Sequence, residues 1–167
     1  MDKLEGRAWK FGDGISTDHI TPGRYFHLRS NLPELAKHCL EDVRPEFVKE
    51  VEDGDLLVGG RNFGQGSSRE HAPLTIKLTG VGAVIASSFA RIFYRNCANV
   101  GLPAIIVPTE DIEDGDELVV KPAEGKLENR TKDFTLEFKP LPEIMQKILT
   151  AGGLVAYVKE HGGMDLE

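Results

Sequence analysis

Cysteine is scarce in this chain: Cys39 and Cys97 are the only two among 167 residues, and they lie far apart. A pair so widely separated does not indicate a disulfide framework. Two cysteines also fall short of the three or four thiolates by which a protein usually holds a [4Fe–4S] cluster. We therefore expect both thiols to be small buried apolar groups. Any cluster chemistry would require a cluster bound by another polypeptide.

Positive charge and long apolar runs are scarce as well. The 20 lysines and arginines are outnumbered by 27 acidic residues, giving a net charge of −7. This argues against a nucleic-acid surface, because phosphate binding needs a basic patch. No apolar stretch approaches the roughly 20 residues that cross a bilayer, and the charged first residues do not resemble a signal peptide. The cytoplasm is therefore the expected compartment. The length and the ordinary content of apolar and charged residues predict one domain spanning residues 1–167.

Glycine, by contrast, is concentrated in one place. Four glycines lie close together in residues 59–71, which we call the serine loop: Gly59, Gly60, Gly64 and Gly66. The loop follows an apolar run at 55–58 that predicts a buried strand, and it precedes a predicted helix at 72–79. Because glycine loses more backbone entropy on folding than other residues, such a cluster is typical of a sharp turn or of close approach by a ligand.

The same loop contains Ser67, Ser68 and Arg69. The serines offer two hydroxyls and a cap for the coming helix, whose first amides form an anion-binding end. The arginine adds a planar fork suited to a carboxylate. The alternative is an ordinary capping box of the Ser-Ser-x-Glu kind, without any ligand. The loop matches neither the phosphate-loop ending nor the dinucleotide fingerprint.

Three further segments accompany the loop. In chain order they are Gly12-Asp-Gly-Ile-Ser-Thr-Asp-His-Ile, Ser88-Phe-Ala-Arg-Ile-Phe-Tyr-Arg-Asn and Asn99-Val-Gly-Leu-Pro. Together with Asn62-Phe-Gly-Gln-Gly-Ser-Ser-Arg-Glu-His they resemble the swivelling domain of the aconitase superfamily, over about residues 5–108. A free-standing chain of this length most resembles the small-subunit family of 3-isopropylmalate dehydratase and the related homoaconitase.

The predicted fold is of the α/β class. Short apolar runs at 55–58, 83–86 and 104–107 predict buried strands, and the helices between them predict right-handed parallel crossovers. The second of these helices is predicted to be capped by Ser87 or Ser88. Residues 111–140 alternate like antiparallel strands and form a predicted strand-rich add-on. The resemblance implies a swivelling β/β/α domain with a mixed, partly parallel sheet flanked by helices.

The resemblance also implies an activity. It is that of a hydro-lyase that interconverts 2-isopropylmalate and 3-isopropylmalate in leucine biosynthesis, by reversible dehydration and rehydration. The chain would be active only in a heterodimer or heterotetramer with a large subunit that carries the [4Fe–4S] cluster, and would bind no cofactor or metal itself. The alternative from another class is a non-catalytic carboxylate-binding or regulatory subunit.

The resemblance assigns roles to particular residues. Ser67 is implied to be the catalytic base, Arg69 to hold a substrate carboxylate, and Ser68 to have a lesser binding role. Four residues are implied to support the site: Asp18, His19, Gly64 and Gly66. Without the resemblance, Asp18 would be interpreted as the cap of a turn.

Substrate choice is implied to lie in a predicted loop at residues 21–33, which carries Arg24 and Arg29. An apolar tip suits an isopropyl group, whereas an arginine suits a further carboxylate. The Leu28-Arg-Ser sequence is closer to the homoaconitase pattern. Isopropylmalate is favoured, and a homoaconitase-type substrate with an extra carboxylate stays open as the alternative.

Overall fold

The computed structural model describes residues 3–67 and 70–162. The strands are β1 (Leu4–Lys10), β2 (Leu56–Val58), β3 (Ala83–Ala86), β4 (Ala104–Ile106), β5 (Glu117–Lys121), β6 (Lys126–Asn129) and β7 (Phe134–Glu137). The helices are α1 (Thr17–Ile20), α2 (Leu32–Ala36), α3 (Phe47–Glu50), α4 (His71–Leu78), α5 (Arg91–Val100), α6 (Glu143–Ala151) and α7 (Leu154–His161), with a 3₁₀ turn at Gly23–Leu28. None of the helices in these two ranges is long and apolar enough to cross a membrane.

All these strands belong to one seven-stranded sheet, in the order β4-β3-β2-β1-β5-β6-β7. The first four strands pair in parallel, with Trp9 opposite Leu57 between β1 and β2. From β5 onward the pairing is antiparallel, with Glu5 opposite Val119. The mixed, partly parallel sheet with flanking helices confirms the predicted fold class. The antiparallel strands β5, β6 and β7 lie inside the segment 111–140.

The two faces of the parallel strands bury different hydrophobic clusters, because successive residues of a strand point to opposite sides of the sheet. Leu57 and Val84 pack against the helices, in a cluster that includes Phe47, Ile76 and Phe93. The opposite face packs against the curled antiparallel half in a cluster that includes Leu56, Ile85, Leu118, Val120 and Leu127. Each face of the parallel strands is thereby covered by a hydrophobic cluster.

The prediction of a plain loop at residues 21–33 is wrong. The segment forms the 3₁₀ turn Gly23–Leu28 and the start of α2 at Leu32. The side chain of Asn31 caps α2 by accepting a hydrogen bond from the amide of Glu34, and Pro33 falls in the first helical turn, where a missing amide donor costs nothing. None of the residues of the 3₁₀ turn is buried, so it lies on the surface of the domain.

The prediction that Ser87 or Ser88 caps the second helix is also wrong. Helix α5 begins later, at Arg91, with Ala90 as its N-cap residue. The Ser88 hydroxyl instead accepts a hydrogen bond from the amide of Asn62, at 2.8 Å. Ser87 Oγ lies 3.0 Å from Thr109 Oγ1. Both serines therefore hold neighbouring loops together, a tertiary role that local sequence does not reveal.

Candidate active site

The serine loop lies at the carboxyl ends of the parallel strands, the edge where open α/β sheets bind their ligands. It leaves β2 and is joined to the two neighbouring strand ends by backbone hydrogen bonds. The amide of Gly64 donates to the carbonyl of Ile15 at 2.7 Å, and the amide of Phe63 donates to the carbonyl of Ser88 at 3.0 Å. The Gly12, Ser67 and Ser88 segments, which are distant in sequence, thus meet at one edge.

Phe63 anchors the middle of the loop. Its side chain is fully buried and packs edge-on against Phe93, with ring centroids 5.5 Å apart, and against Phe89 at 6.0 Å. Aromatic pairs in this arrangement add to the stabilisation from burial alone. The loop is therefore fixed to α5 at this point, and its flanking residues are held in place by the same contact.

The backbone geometry favours glycine at positions 64 and 66. Their φ angles are +85° and +103°, in the left-handed region that favours glycine. A Cβ atom placed on Gly64 would lie 2.1 Å from Cγ of Phe93, and one on Gly66 would lie 3.3 Å from Oγ1 of Thr17. The predicted sharp turn is confirmed, and the glycines let the chain pass close to α5 and α1 just before Ser67.

Ser67 is exposed and lines a cavity of about 200 Å³ between the loop and the start of α5. Its backbone carbonyl accepts a hydrogen bond of 2.9 Å from Oγ1 of the buried Thr17. The prediction that Ser67 caps the following helix is wrong, because α4 starts at His71 with Glu70 in the N-cap position. The predicted sites Ser68 and Arg69 lie outside the described residues.

The cavity contains two polar side chains that the sequence analysis did not single out. Arg91, the first residue of α5, and Asn96 line it together with Ser67. Both belong to the segment 88–96, one of the stretches that resemble the aconitase superfamily. Its position after the serine loop in the chain was the signal that could have indicated these two residues. A larger open groove of about 690 Å³ lies along the same edge and is lined by Lys10, Asp13 and other residues. Ser67 lines the smaller cavity.

Asp18 and His19 lie on α1, beside the loop. The amide of Ser16 donates to Nδ1 of His19 at 2.9 Å, and the amide of His19 donates back to the Ser16 hydroxyl. Because Nδ1 accepts a hydrogen bond, a neutral His19 ring carries its proton on Nε2. Oδ1 of Asp18 accepts a hydrogen bond of 3.0 Å from the amide of Gly23. This aspartate thus joins α1 to the 3₁₀ turn.

The two arginines of the turn have different surroundings. Arg24 donates from both ends of its guanidinium to Asp42, at 2.6 Å each, and also contacts Glu41. Arg29 lies over the ring of Phe26, with Cζ 4.5 Å from the ring centroid. The rings of Phe26 and His71 are 5.7 Å apart, which places this end of the turn beside the first residue of α4.

The cysteines are unsuited to hold iron. Cys39 and Cys97 are both buried in the core cluster on the helical side of the sheet. Burial raises the pKa of both thiols well above the ordinary value, which disfavours the thiolate that a metal needs. Within residues 3–67 and 70–162, no three His, Cys, Asp or Glu side chains are grouped so that they could hold a metal ion.

Comparison with known proteins agrees with this arrangement. Residues 11–110 match the aconitase C-terminal domain family, and residues 70–162 match the family described as the aconitate hydratase 2 N-terminus. The chain is 63% identical to 3-isopropylmalate dehydratase small subunit 2 of Archaeoglobus fulgidus, over 98% of this chain and 99% of that one. It is 55% identical to small subunit 1 of Thermotoga maritima, over 95% and 96%.

A solved structure gives the same result. The crystal structure of 3-isopropylmalate dehydratase from Methanocaldococcus jannaschii superposes with a TM-score of 0.89 at 46% identity, over 96% of this chain and 95% of that one. Similarity of sequence and of fold thus extends over nearly the whole chain. The chain belongs to the family of 3-isopropylmalate dehydratase small subunits, which is part of the aconitase C-terminal domain family.

Proposed function

We propose that this chain is the small subunit of a 3-isopropylmalate dehydratase, a hydro-lyase that interconverts 2-isopropylmalate and 3-isopropylmalate in leucine biosynthesis. The observation that carries the proposal is the serine loop, which presents an exposed Ser67 to a cavity at the carboxyl edge of the sheet. It does so in a chain that aligns with named small subunits of this enzyme over nearly its full length.

The reaction needs a base and a Lewis acid. A proton leaves the carbon beside a carboxylate, and the hydroxyl leaves the neighbouring carbon. We assign the base to Oγ of Ser67, which would take the proton in the dehydration direction and return it during rehydration. The Lewis acid must be a metal centre, and neither buried cysteine of this chain is suited to bind one. We assign it to a [4Fe–4S] cluster on a large subunit, in a heterodimer or heterotetramer.

A serine hydroxyl is a very weak base, so an alkoxide at Ser67 would need local stabilisation. We infer that the start of α4 and the guanidinium of Arg69 supply it, because helix amides and a fixed positive charge favour a negative oxygen. Arg69 would also hold a substrate carboxylate through two parallel hydrogen bonds. Ser68 would have the lesser binding role. The hydrogen bond from Thr17 Oγ1 to the Ser67 carbonyl connects the backbone at Ser67 to α1.

The test is the identity of the product. The chain is assembled with a cluster-loaded large subunit of 3-isopropylmalate dehydratase, and 3-isopropylmalate is added. We expect 2-isopropylmalate and the unsaturated intermediate to appear, both resolved by chromatography. A non-catalytic carboxylate-binding subunit predicts instead that 3-isopropylmalate binds to the complex without conversion, and that result would exclude the proposed activity.

A second candidate is a homoaconitase-type substrate with an additional carboxylate. One observation favours the homoaconitase-type substrate: Arg29 lies over Phe26, whose ring contacts the start of α4.

The exposed position of Arg29 supports isopropylmalate, because the methyl groups of this substrate can pack against Phe26 while the arginine keeps its hydration. A fully desolvated arginine facing methyl groups would instead lose water without gaining a partner.

We expect Arg29→Leu to leave kcat/KM for isopropylmalate within about threefold of wild type, since no charge-assisted bond to this substrate is lost. For homoaconitate we expect kcat/KM to fall about tenfold or more, because a carboxylate would lose its charged partner. The measurement is kcat/KM of the assembled complex for both substrates. A wild-type preference for homoaconitate that reverses in the variant would contradict the isopropylmalate assignment.

A further inference from the structure

Arg24 is the centre of a network of charged and aromatic side chains on the outer end of the 3₁₀ turn. Its Nη1 and Nη2 atoms donate to the two carboxylate oxygens of Asp42, at 2.6 Å each, and Nη2 also lies 3.3 Å from Glu41. The guanidinium lies over the ring of Tyr25, which stacks on the ring of His38 with centroids 3.8 Å apart. Nδ1 of His38 is 3.2 Å from the same Glu41 carboxylate.

Besides this network, the turn is held by the hydrogen bond from the amide of Gly23 to Asp18 and by the contact of Phe26 with His71. None of its residues is buried, and its N-cap residue Pro22 makes no side-chain cap. A short 3₁₀ helix has poor hydrogen-bond geometry of its own. Surface segments with few buried contacts open easily. The fork between Arg24 and Asp42 is therefore one of the restraints on the position of this turn.

The opposite end of the turn faces the serine loop. The ring of Phe26 contacts His71, the first residue of α4, and Arg29 lies over Phe26. Arg29 also donates from Nη1 to the carbonyl of Phe26, at 3.3 Å. Movement of the Arg24 end would therefore displace the Phe26–Arg29 end with respect to the serine loop.

We propose that Arg24 is a positioning residue and is not itself a ligand of the substrate. Through its two hydrogen bonds to the Asp42 carboxylate, it holds the Phe26–Arg29 end of the turn against the serine loop. The proposal rests on the proposed function for the identity of the substrate. It differs from the expectation drawn from the sequence, in which Arg24 binds the substrate directly.

Asp42→Asn distinguishes the two roles. If Arg24 positions the turn, the loss of its charged partner raises KM for 3-isopropylmalate about three- to fivefold, the range available to an exposed ion pair, and leaves kcat within twofold. Arg24→Gln gives the same rise, and the double variant is no worse than either single one, because the two residues act as a unit. If Arg24 binds the substrate, Asp42→Asn frees its fork and KM stays constant or falls. That result overturns the proposal.

The chain contains a matched control pair. Arg44 and Asp114 form the same two-bond fork, at 2.6 and 2.8 Å, away from the turn. The side chains of Asp42 and Asp114 are similarly exposed, at 46% and 49%, although Arg44 is less exposed than Arg24 and Asp114 also accepts a hydrogen bond from the amide of Lys10. We expect Asp114→Asn to leave KM unchanged. An equal rise in KM in both variants would show a general loss of stability and would overturn the proposal.

A second measurement uses the chain alone and does not depend on the reaction. The amide of Arg29 donates to Phe26 and that of Asn31 to Leu28, and hydrogen exchange reports their opening. We expect both amides to exchange faster in Asp42→Asn than in wild type and to be unaffected in Asp114→Asn. Unchanged exchange in Asp42→Asn overturns the positioning role. An inactive wild-type complex would overturn the proposed function, and the exchange experiment would still decide the role of Arg24.

Discussion

The Ser67→Ala complex is expected to lose turnover by a factor of about 10² to 10⁴, the usual contribution of a general base, while the chain keeps its stability. Ser67 is exposed and does not cap α4, and its contact with Thr17 is made by the backbone carbonyl. Removal of the hydroxyl should therefore change the free energy of unfolding by less than about 0.5 kcal/mol. The measurements are kcat of the assembled complex and urea unfolding of the isolated chain.

Ser68→Ala is the control for this prediction, because the neighbouring hydroxyl is assigned a lesser role. We expect it to retain most of the turnover. A Ser67→Ala complex with near-normal kcat would mean that another group is the base. A Ser67→Ala chain that unfolds much more easily than wild type would mean that the hydroxyl is structural, and the catalytic assignment would lose its support.

Gly64→Ala is expected to have the largest effect on stability. The substitution places a side chain at a φ of +85° and a Cβ 2.1 Å from Cγ of Phe93. Left-handed backbone costs about 1–2 kcal/mol for such a residue, and overpacking against a buried ring costs about 1–3 kcal/mol. We expect the free energy of unfolding to fall by about 2–4 kcal/mol, as measured by urea denaturation of the isolated chain.

Gly12→Ala provides the matched control. Gly12 belongs to the neighbouring segment at the same sheet edge, and a Cβ placed on it meets no atom within 4 Å. We expect its free energy of unfolding to stay within about 0.5 kcal/mol of wild type. If Gly64→Ala were equally harmless, the serine loop would not approach Phe93 closely in solution. The described conformation of the loop before Ser67 would then be incorrect.

Sequence patterns predicted the strands and turns that are determined by residues close together in the chain. The buried strands β2, β3 and β4 are short apolar runs, and alternation predicted the antiparallel strands that follow. The sharp turns at Gly64 and Gly66 were predictable because few other residues tolerate such backbone. The fold class followed from these elements and from the order of the family motifs.

The contacts that sequence reasoning missed are tertiary. Ser88 was predicted to cap a helix, but its hydroxyl accepts the amide of Asn62 in the serine loop, 26 positions away. The family resemblance implied that Arg24 faces the substrate, and its ion pair with Asp42, 18 positions along the chain, was not predicted. No local sequence pattern predicts the Ser88–Asn62 or the Arg24–Asp42 contact. The 3₁₀ turn was missed for a related reason, since none of its side chains is buried to create a periodic pattern.

A titration tests whether this chain supplies the serine-loop half of a two-subunit hydro-lyase. Increasing amounts of the chain are added to a fixed concentration of cluster-loaded large subunit with saturating 3-isopropylmalate. The initial rate is followed by the ultraviolet absorbance of the unsaturated intermediate. We expect negligible rates for either subunit alone, a linear rise as the chain is added, and a plateau at a fixed subunit ratio. Turnover by the isolated chain, or a large-subunit rate that the chain does not increase, would contradict this expectation.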